Sequence, residues 1–284
     1  MLKKLLGLAP KLESDGSYSP SKLALKLATV DKTDFKKITY TKYQGKKSKI
    51  LVIFTEQKNM KMQNGKLFST GNHPVEALVP MLHLKNAGFD FEIVTPTGKP
   101  VIFEMWAFPN KDKEVKEIYE QFKTRFEQPK NLQDFVNNSL MKSEDYAALF
   151  VPGGHGSMLG IPDDKNVATT LNWANDNDLF TITLCHGPGS FLSTTLDNGK
   201  FIYQGYNMAV FPDSVDKMTP MFGYLPGHMA MAVSEKLKSL GVNLMNTKSD
   251  DTVCIDRKLI TGASPLASNN LGKLAAETLL KELN

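Results

Sequence analysis

The chain has 284 residues, enough for one large domain or a core with a smaller companion, and its 41% hydrophobic and 23% charged residues describe an ordinary globular protein. The net charge of +4, from 34 basic and 30 acidic residues, gathers largely in Lys3, Lys4, Lys36, Lys37, Lys46 and Lys47. Those read as solvated lysines, and with no RNA- or DNA-binding motif beside them no nucleic-acid partner is expected. Two cysteines, Cys185 and Cys254, make no disulfide framework and point to a reducing, cytoplasmic setting.

Residues 1–10 resemble a weak signal peptide, but the apolar run breaks too early and no cleavage site follows. No stretch approaches the ~20 apolar residues that span a bilayer. Residues 1–47, rich in Lys, Ser and Thr, are expected to form an irregular arm belonging to a small lobe. The rhythm then becomes βαβ. Residues 50–54 form a short apolar run, as a parallel strand covered on both faces requires. Residues 74–87 carry Val75, Leu78, Val79 and Leu82 at helical spacing and stop at Gly88. Residues 91–95 return as a strand.

Residues 98–143 break the rhythm with an aromatic patch (Phe103, Trp106, Phe108) and a charged helical run over 111–126, and are expected to form an inserted small lobe. Alternation resumes with a strand at 147–151, a helix at 166–175 and a strand at 180–184. A helix, a strand near 208–211 and a helix over 229–240 come next. Strands around 242–245, 252–255 and 259–261 precede a last helix over 269–283. The expected fold is α/β: a doubly wound sandwich with its core in 48–97 and 144–284, binding ligands at the carboxyl ends of its strands.

At one such end a β-branched apolar run closes on Cys185, followed by His186, Gly187 and Pro188. That is the layout of a nucleophile elbow, in which a sharp strand-to-helix turn exposes one side chain. A helix opening at the thiol offers N–H groups that favour a thiolate, although free cysteines are usually just buried. Three further segments belong on the same face. Glu76, in the first helical turn after His73-Pro74, is either a cap or a carboxyl that exchanges a proton with the thiol. Gly153 and Gly154 after a strand allow close backbone approach and suit an oxyanion site, and His155 lines the pocket or caps the loop. Their spacing fits neither dinucleotide binding nor a P-loop. Asp213 after Phe211-Pro212 is a turn residue or the orienter of His186 in a Cys-His-Asp triad, with Asp216 in reserve.

Together the Gly153–Gly156 loop and the Cys185-His186-Gly187-Pro188 elbow resemble the ThiJ/PfpI superfamily of class-I-glutaminase-like proteins. Residues 64–66, 71–74, 211–213, 223–228 and 256–262 resemble its heat-inducible chaperone branch, whose members are also described as glyoxalase III and protein deglycase. The resemblance covers roughly residues 48–284. It implies a flavodoxin-like core, a homodimer, and cofactor-independent conversion of methylglyoxal to lactate. Glyoxal, glycated protein groups and unfolded proteins are the further partners it suggests. It gives Cys185 the nucleophile's role, His186 and Asp213 the rest of the triad, Glu76 the acidic partner's role, and the Gly153 and Gly154 backbone the substrate oxygen. Members of this branch can carry a two-histidine, one-carboxylate metal site, whose matching positions here are Lys85, Asp90 and Phe122. One ligand of three survives, so no metal is expected. Ala263 also departs from an acidic residue usual in the branch. Two rival functions remain: a cysteine peptidase or amidase using the same triad, and a holding chaperone binding through Phe103, Trp106 and Phe108.

Overall fold

The computed structural model describes residues 7–284. Residues 1–6, with Lys3, Lys4 and most of the leader-like run, lie outside the described residues. The N-terminal arm supplies two short strands, β1 (Lys11–Leu12) and β2 (Tyr18–Ser19), then helix α1 (Lys22–Ala28). Ser21 starts α1 by accepting a hydrogen bond from the Ala24 N–H. β3 (Lys49–Ile53) opens the main sheet. A hairpin of β4 (Asn59–Lys61) and β5 (Leu67–Ser69) precedes α2 (Pro74–Asn86), with Pro74 in its first turn, where its missing N–H costs nothing.

After β6 (Asp90–Thr95) come α3 (Lys113–Glu127), capped by Asp112, then β7 (Lys130–Asn131) and α4 (Leu132–Ser139). β8 (Tyr146–Val151), α5 (Lys165–Asp176) and β9 (Phe180–Leu184) follow, then a 3-10 helix over Gly187–Thr194 and the short α6 (Thr195–Asn198). The last part contains β10 (Asn207–Met208), α7 (Asp213–Met218), α8 (Val233–Ser239), β11 (Asn243–Leu244), β12 (Val253–Asp256), β13 (Leu259–Gly262) and α9 (Ser268–Leu283).

The main sheet has the order β12-β13-β9-β8-β3-β6-β7, with every neighbouring pair parallel except the edge pair β12-β13. Its central strands are buried on both faces, as their unbroken apolar runs require. On one face Leu78, Met81 and Leu84 of α2 pack with Phe122 and Phe126 of α3 and Leu271, Ala275 and Leu279 of α9. On the other, Val167 and Leu171 of α5 pack with Phe191 and Leu237. Each such aliphatic side chain contributes roughly 1.5–3 kcal/mol on burial. The fold is the flavodoxin-like doubly wound sandwich that the alternation predicts.

Three expectations change on folding. Residues 98–143 do not form a lobe of their own: Val115, Ile118, Phe122 and Phe126 join the main core, and β7 extends the main sheet beside β6. The small sheet is instead β1-β2-β5-β4, in which the N-terminal arm pairs with the hairpin through Tyr18 and Phe68. The strand expected near 208–211 shrinks to β10 and pairs with β11 in a separate two-stranded sheet. The helix over 229–240 forms only from Val233.

Strand order reverses direction at β3, with β6 on one side and β8 on the other. In open α/β sheets that switch point leaves a crevice beyond the carboxyl ends of the strands. The Gly153-Gly154-His155 loop after β8, Cys185 after β9 and the start of α2 all reach it.

Candidate active site

Cys185 follows β9 with φ at 58°, in the left-handed region that a residue with a Cβ rarely enters. The turn is clamped on both sides of the residue: its N–H donates to Gly262 O at 2.8 Å, and the Phe211 N–H donates to its carbonyl at 3.0 Å. The strain points the thiol into a cavity of about 310 Å³. Among its lining are Glu76, Glu104, Gly154, His155, His186 and Asp216.

Glu76 does not cap its own helix. Its carboxyl is 1% exposed and lies against the Cys185 thiol and the Gly154 N–H, both of which act on its acidity. Gly153 sits directly beneath: a Cβ there would collide with the Glu76 carboxyl and stand 2.5 Å from Leu184 O and 2.9 Å from the Cys185 Cβ. Gly154 adopts φ 96°. Paired glycines are therefore what lets the loop lie against the thiol. The Gly154 N–H points at the sulfur and carboxyl, and His155 lines the cavity. Burial, reinforced by the charge of Glu104, pushes the Glu76 carboxyl well above the usual carboxylate range. Burial also pushes the Cys185 thiol up, with Glu76 and Asp216 adding to it. The helix start alone does not produce a thiolate. A protonated Glu76 does help, because it removes one negative neighbour and offers an O–H to the sulfur.

His186 Nδ1 stands 3.3 Å from Cys185 Sγ, and its Nε2 stands 2.8 Å from Asp216 Oδ2. A carboxylate can only accept, so Nε2 carries the proton and Nδ1 is free to take one from the thiol. Phe211 stacks on the ring at 4.7 Å and fixes its plane. The carboxylate that meets the His186 ring is thus that of Asp216, and Asp213 does not reach it. Past Pro212 the chain turns into α7 instead of closing a strand. Asp213 at its start faces α8, accepting from Ser234 Oγ at 2.6 Å and the Glu235 N–H at 2.7 Å. Asp216, one turn on, faces the cavity. His155 also bonds Asp216, at 3.1 Å. Burial alone would raise this carboxyl, but the two histidines hold it below the usual carboxylate range.

The opposite wall contains residues that sequence reasoning passed over. Residues 102–104 run beside 70–72: Asn72 N–H donates to Ile102 O at 2.8 Å and Glu104 N–H to Asn72 O at 3.0 Å. That pairing sets Glu104 against Thr70, whose hydroxyl donates to Glu104 Oε1 at 2.6 Å. Glu104 is 1% exposed, and burial pushes its carboxyl up to about 7. His73, also buried, is pushed down to about 3 and stays neutral. Burial raises Tyr224 as well, with Glu104 adding to it. The one signal for Glu104 in the sequence is a lone acid inside an apolar, aromatic run. The aromatic patch around it is packed: Phe103 lies against Phe54 and Phe126, Phe108 against Tyr119, and Trp106 Nε1–H donates to Ser69 O.

At the positions of the metal site in the resembling branch, Phe122 packs on Phe91 and Asp90 pairs with Arg125 at 2.9 Å. Among the described residues, His155, His186 and Asp216 are the group whose donor atoms lie close enough to share an ion, within 4.8 Å of one another. Those atoms already bond each other. No helix among the described residues is long and apolar enough to cross a membrane.

The chain matches no family model. It is 46% identical over 269 residues to protein/nucleic acid deglycase HchA of Escherichia coli O1:K1 / APEC, covering 95% of this chain and 94% of that protein. Among solved structures, glyoxalase III from Candida albicans aligns with a TM-score of 0.63 at 21% identity, over 84% of this chain and 98% of that one. The 24 kDa Rapid Encystment Protein of Francisella tularensis gives 0.68 at 18% identity, over 82% and 99%. These two structures share the fold.

Proposed function

This chain belongs to the HchA protein/nucleic acid deglycase family, and on that premise we propose that it is a glutathione- and cofactor-independent glyoxalase and deglycase with Cys185 as its nucleophile. The observation that carries the reading is the Cys185 sulfur, forced out at φ 58° between the Glu76 carboxyl and His186 Nδ1. The cavity of about 310 Å³ suits a small reactive aldehyde or the tip of a glycated side chain.

Cys185 adds to the aldehyde carbon of a 2-oxoaldehyde, and the thiol proton passes through His186 Nδ1 to the carbonyl oxygen, giving a hemithioacetal. The Gly154 N–H faces this centre, and Gly153 leaves room for it. His186, neutral again and held by Asp216, takes the proton from that carbon and an enediol forms. Return of the proton to the neighbouring carbon leaves a thioester, and water cleaves it to the 2-hydroxy acid and the free thiol. The oxidation of one carbon and reduction of the other balance within the substrate. Glu76, which keeps its proton, supports the sulfur as a donor.

A reactive free thiol works in a reducing compartment, so the cytoplasm is the expected setting. Homodimer formation and a holding-chaperone role belong to the same reading. The packed aromatic patch does not serve the latter, leaving exposed side chains such as Leu27, Met221 and Phe222. Peptide or amide cleavage is not favoured by the family. The test incubates purified protein and Cys185→Ala with methylglyoxal, without glutathione or metal, and measures lactate. The wild type is expected to form lactate and the variant to lose about 10³-fold or more. Lactate formation by Cys185→Ala at the native rate sinks the reading.

A further inference from the structure

The proposed reaction moves two protons: one between carbons, which His186 can carry, and one between the oxygens on those carbons. Nothing in the Cys185–His186–Asp216 set serves the second. The far wall of the cavity does contain a suitable group. Glu104 is anchored through Oε1 by the Thr70 hydroxyl at 2.6 Å, and the His155 backbone N–H lies near its carboxyl. Its Oε2 is buried with no partner in the protein. An orphaned buried carboxyl oxygen is costly unless a ligand engages it.

We propose that Glu104 is a further catalytic residue of this site, the carrier of the proton that moves between the two substrate oxygens. The inference rests on the glyoxalase reading above. When His186 removes the proton from the sulfur-bearing carbon, charge develops on the oxygen of the neighbouring carbon. Glu104 gives its proton to that oxygen, and the enediol is neutral. His186 returns its proton to the neighbouring carbon while the hydroxyl on the sulfur-bearing carbon gives its proton back to Glu104 and becomes the thioester carbonyl. One C–H bond breaks and one forms, one O–H bond forms and one breaks, and both residues finish as they began. No external oxidant or reductant takes part.

Glu104 must start protonated to do this, and its carboxyl, pushed up by burial to about 7, does so on the acidic side of neutrality. The titratable groups facing it are His155 beyond β8, Glu76 on α2, and Tyr224. The expected signature is a kcat that falls as pH rises through about 7.

Glu104→Gln keeps an acceptor for Thr70 but cannot exchange the proton. It is expected to lower kcat for methylglyoxal about 100-fold or more, leave KM near native, and abolish the descending limb. Iodoacetamide alkylation of Cys185, read in parallel, is expected at the native rate. A kcat within about twofold of native with the limb intact overturns the proposal, and so does loss of alkylation together with activity, which marks a structural role. Should Glu104→Gln not fold, Thr70→Val decides. Removing a donor that makes Glu104 more acidic is expected to move the limb to higher pH, and an unmoved limb overturns the proposal. Cys185→Ala in the same assay separates the two ideas: lactate from that variant at the native rate sinks the glyoxalase reading itself, whereas an inactive Cys185→Ala beside a fully active Glu104→Gln sinks only the role of Glu104.

Discussion

The two walls of the cavity hold carboxyl groups of opposite character. On one wall Asp216 accepts from His186 at 2.8 Å and His155 at 3.1 Å and stays ionised despite 3% exposure. On the other, Glu76 and Glu104 are as deeply buried, each with an oxygen lacking a partner, and both are pushed toward the protonated form. Burial acts on all three in the same direction. What separates them is how directly histidines answer the charge: two bond Asp216, whereas His155 acts on Glu104 without outweighing its burial. One thiol therefore lies between a fixed negative orienter and proton-bearing donors, a division of acid and base by environment instead of by residue type.

The largest effect that can break this comparison comes from Asp216→Asn. An amide oxygen leaves His155 and His186 competing for one acceptor, and the His186 ring loses its set tautomer. Activity toward methylglyoxal is expected to fall about 10³-fold, with the fold intact by circular dichroism. Retention of a tenth of the native rate would show that His186 needs no orienter.

The protonated wall makes a prediction about stability. A carboxyl raised in the folded state binds more protons folded than unfolded, so its stabilising effect is complete below the unfolded value and fades as pH rises through the folded one. For Glu104, raised from 4.5 to about 7, urea denaturation should show up to about 3 kcal/mol lost across that window. Glu104→Gln should lack this part of the slope, so it gains on the wild type between pH ~5 and pH ~8. Parallel slopes for the two proteins would place the proton elsewhere. His73 works at the other end: depressed to about 3, it favours the fold above its ordinary value and erodes it as pH falls.

The smallest effect distinguishes the neighbouring acids. Asp213→Asn weakens the cap on α8 and should cost about 1–2 kcal/mol in urea denaturation. Its rate with methylglyoxal should stay within about threefold of native, against the collapse expected for Asp216→Asn. A comparable collapse in both would return Asp213 to the site.

Much of the fold was legible because its signals are local. Unbroken apolar runs at β3, β8 and β9 report strands buried on both faces, and Pro74 and Gly88 bracket α2 by backbone chemistry alone. The elbow and the paired glycines were equally plain, since each is a short backbone event written in consecutive residues. The choice between Asp213 and Asp216 was not legible. It depended on α7 starting at Pro212, and so on which side chain a helical turn aims at the histidines.

The sequence by itself determined the βα alternation, the cysteine at the turn after β9, and the carboxyl and glycines that crowd it. Only the tertiary structure decided that residues 98–143 pack into the core, that Leu27 and Ala28 of the N-terminal arm line the cavity, and that Glu104 meets Thr70 across 34 positions of chain. Such pairings are made when the sheet closes and brings remote segments together, and no neighbour in sequence records them. The protonation states follow the same rule: they come from burial and partners that exist only once the walls of the cavity have met.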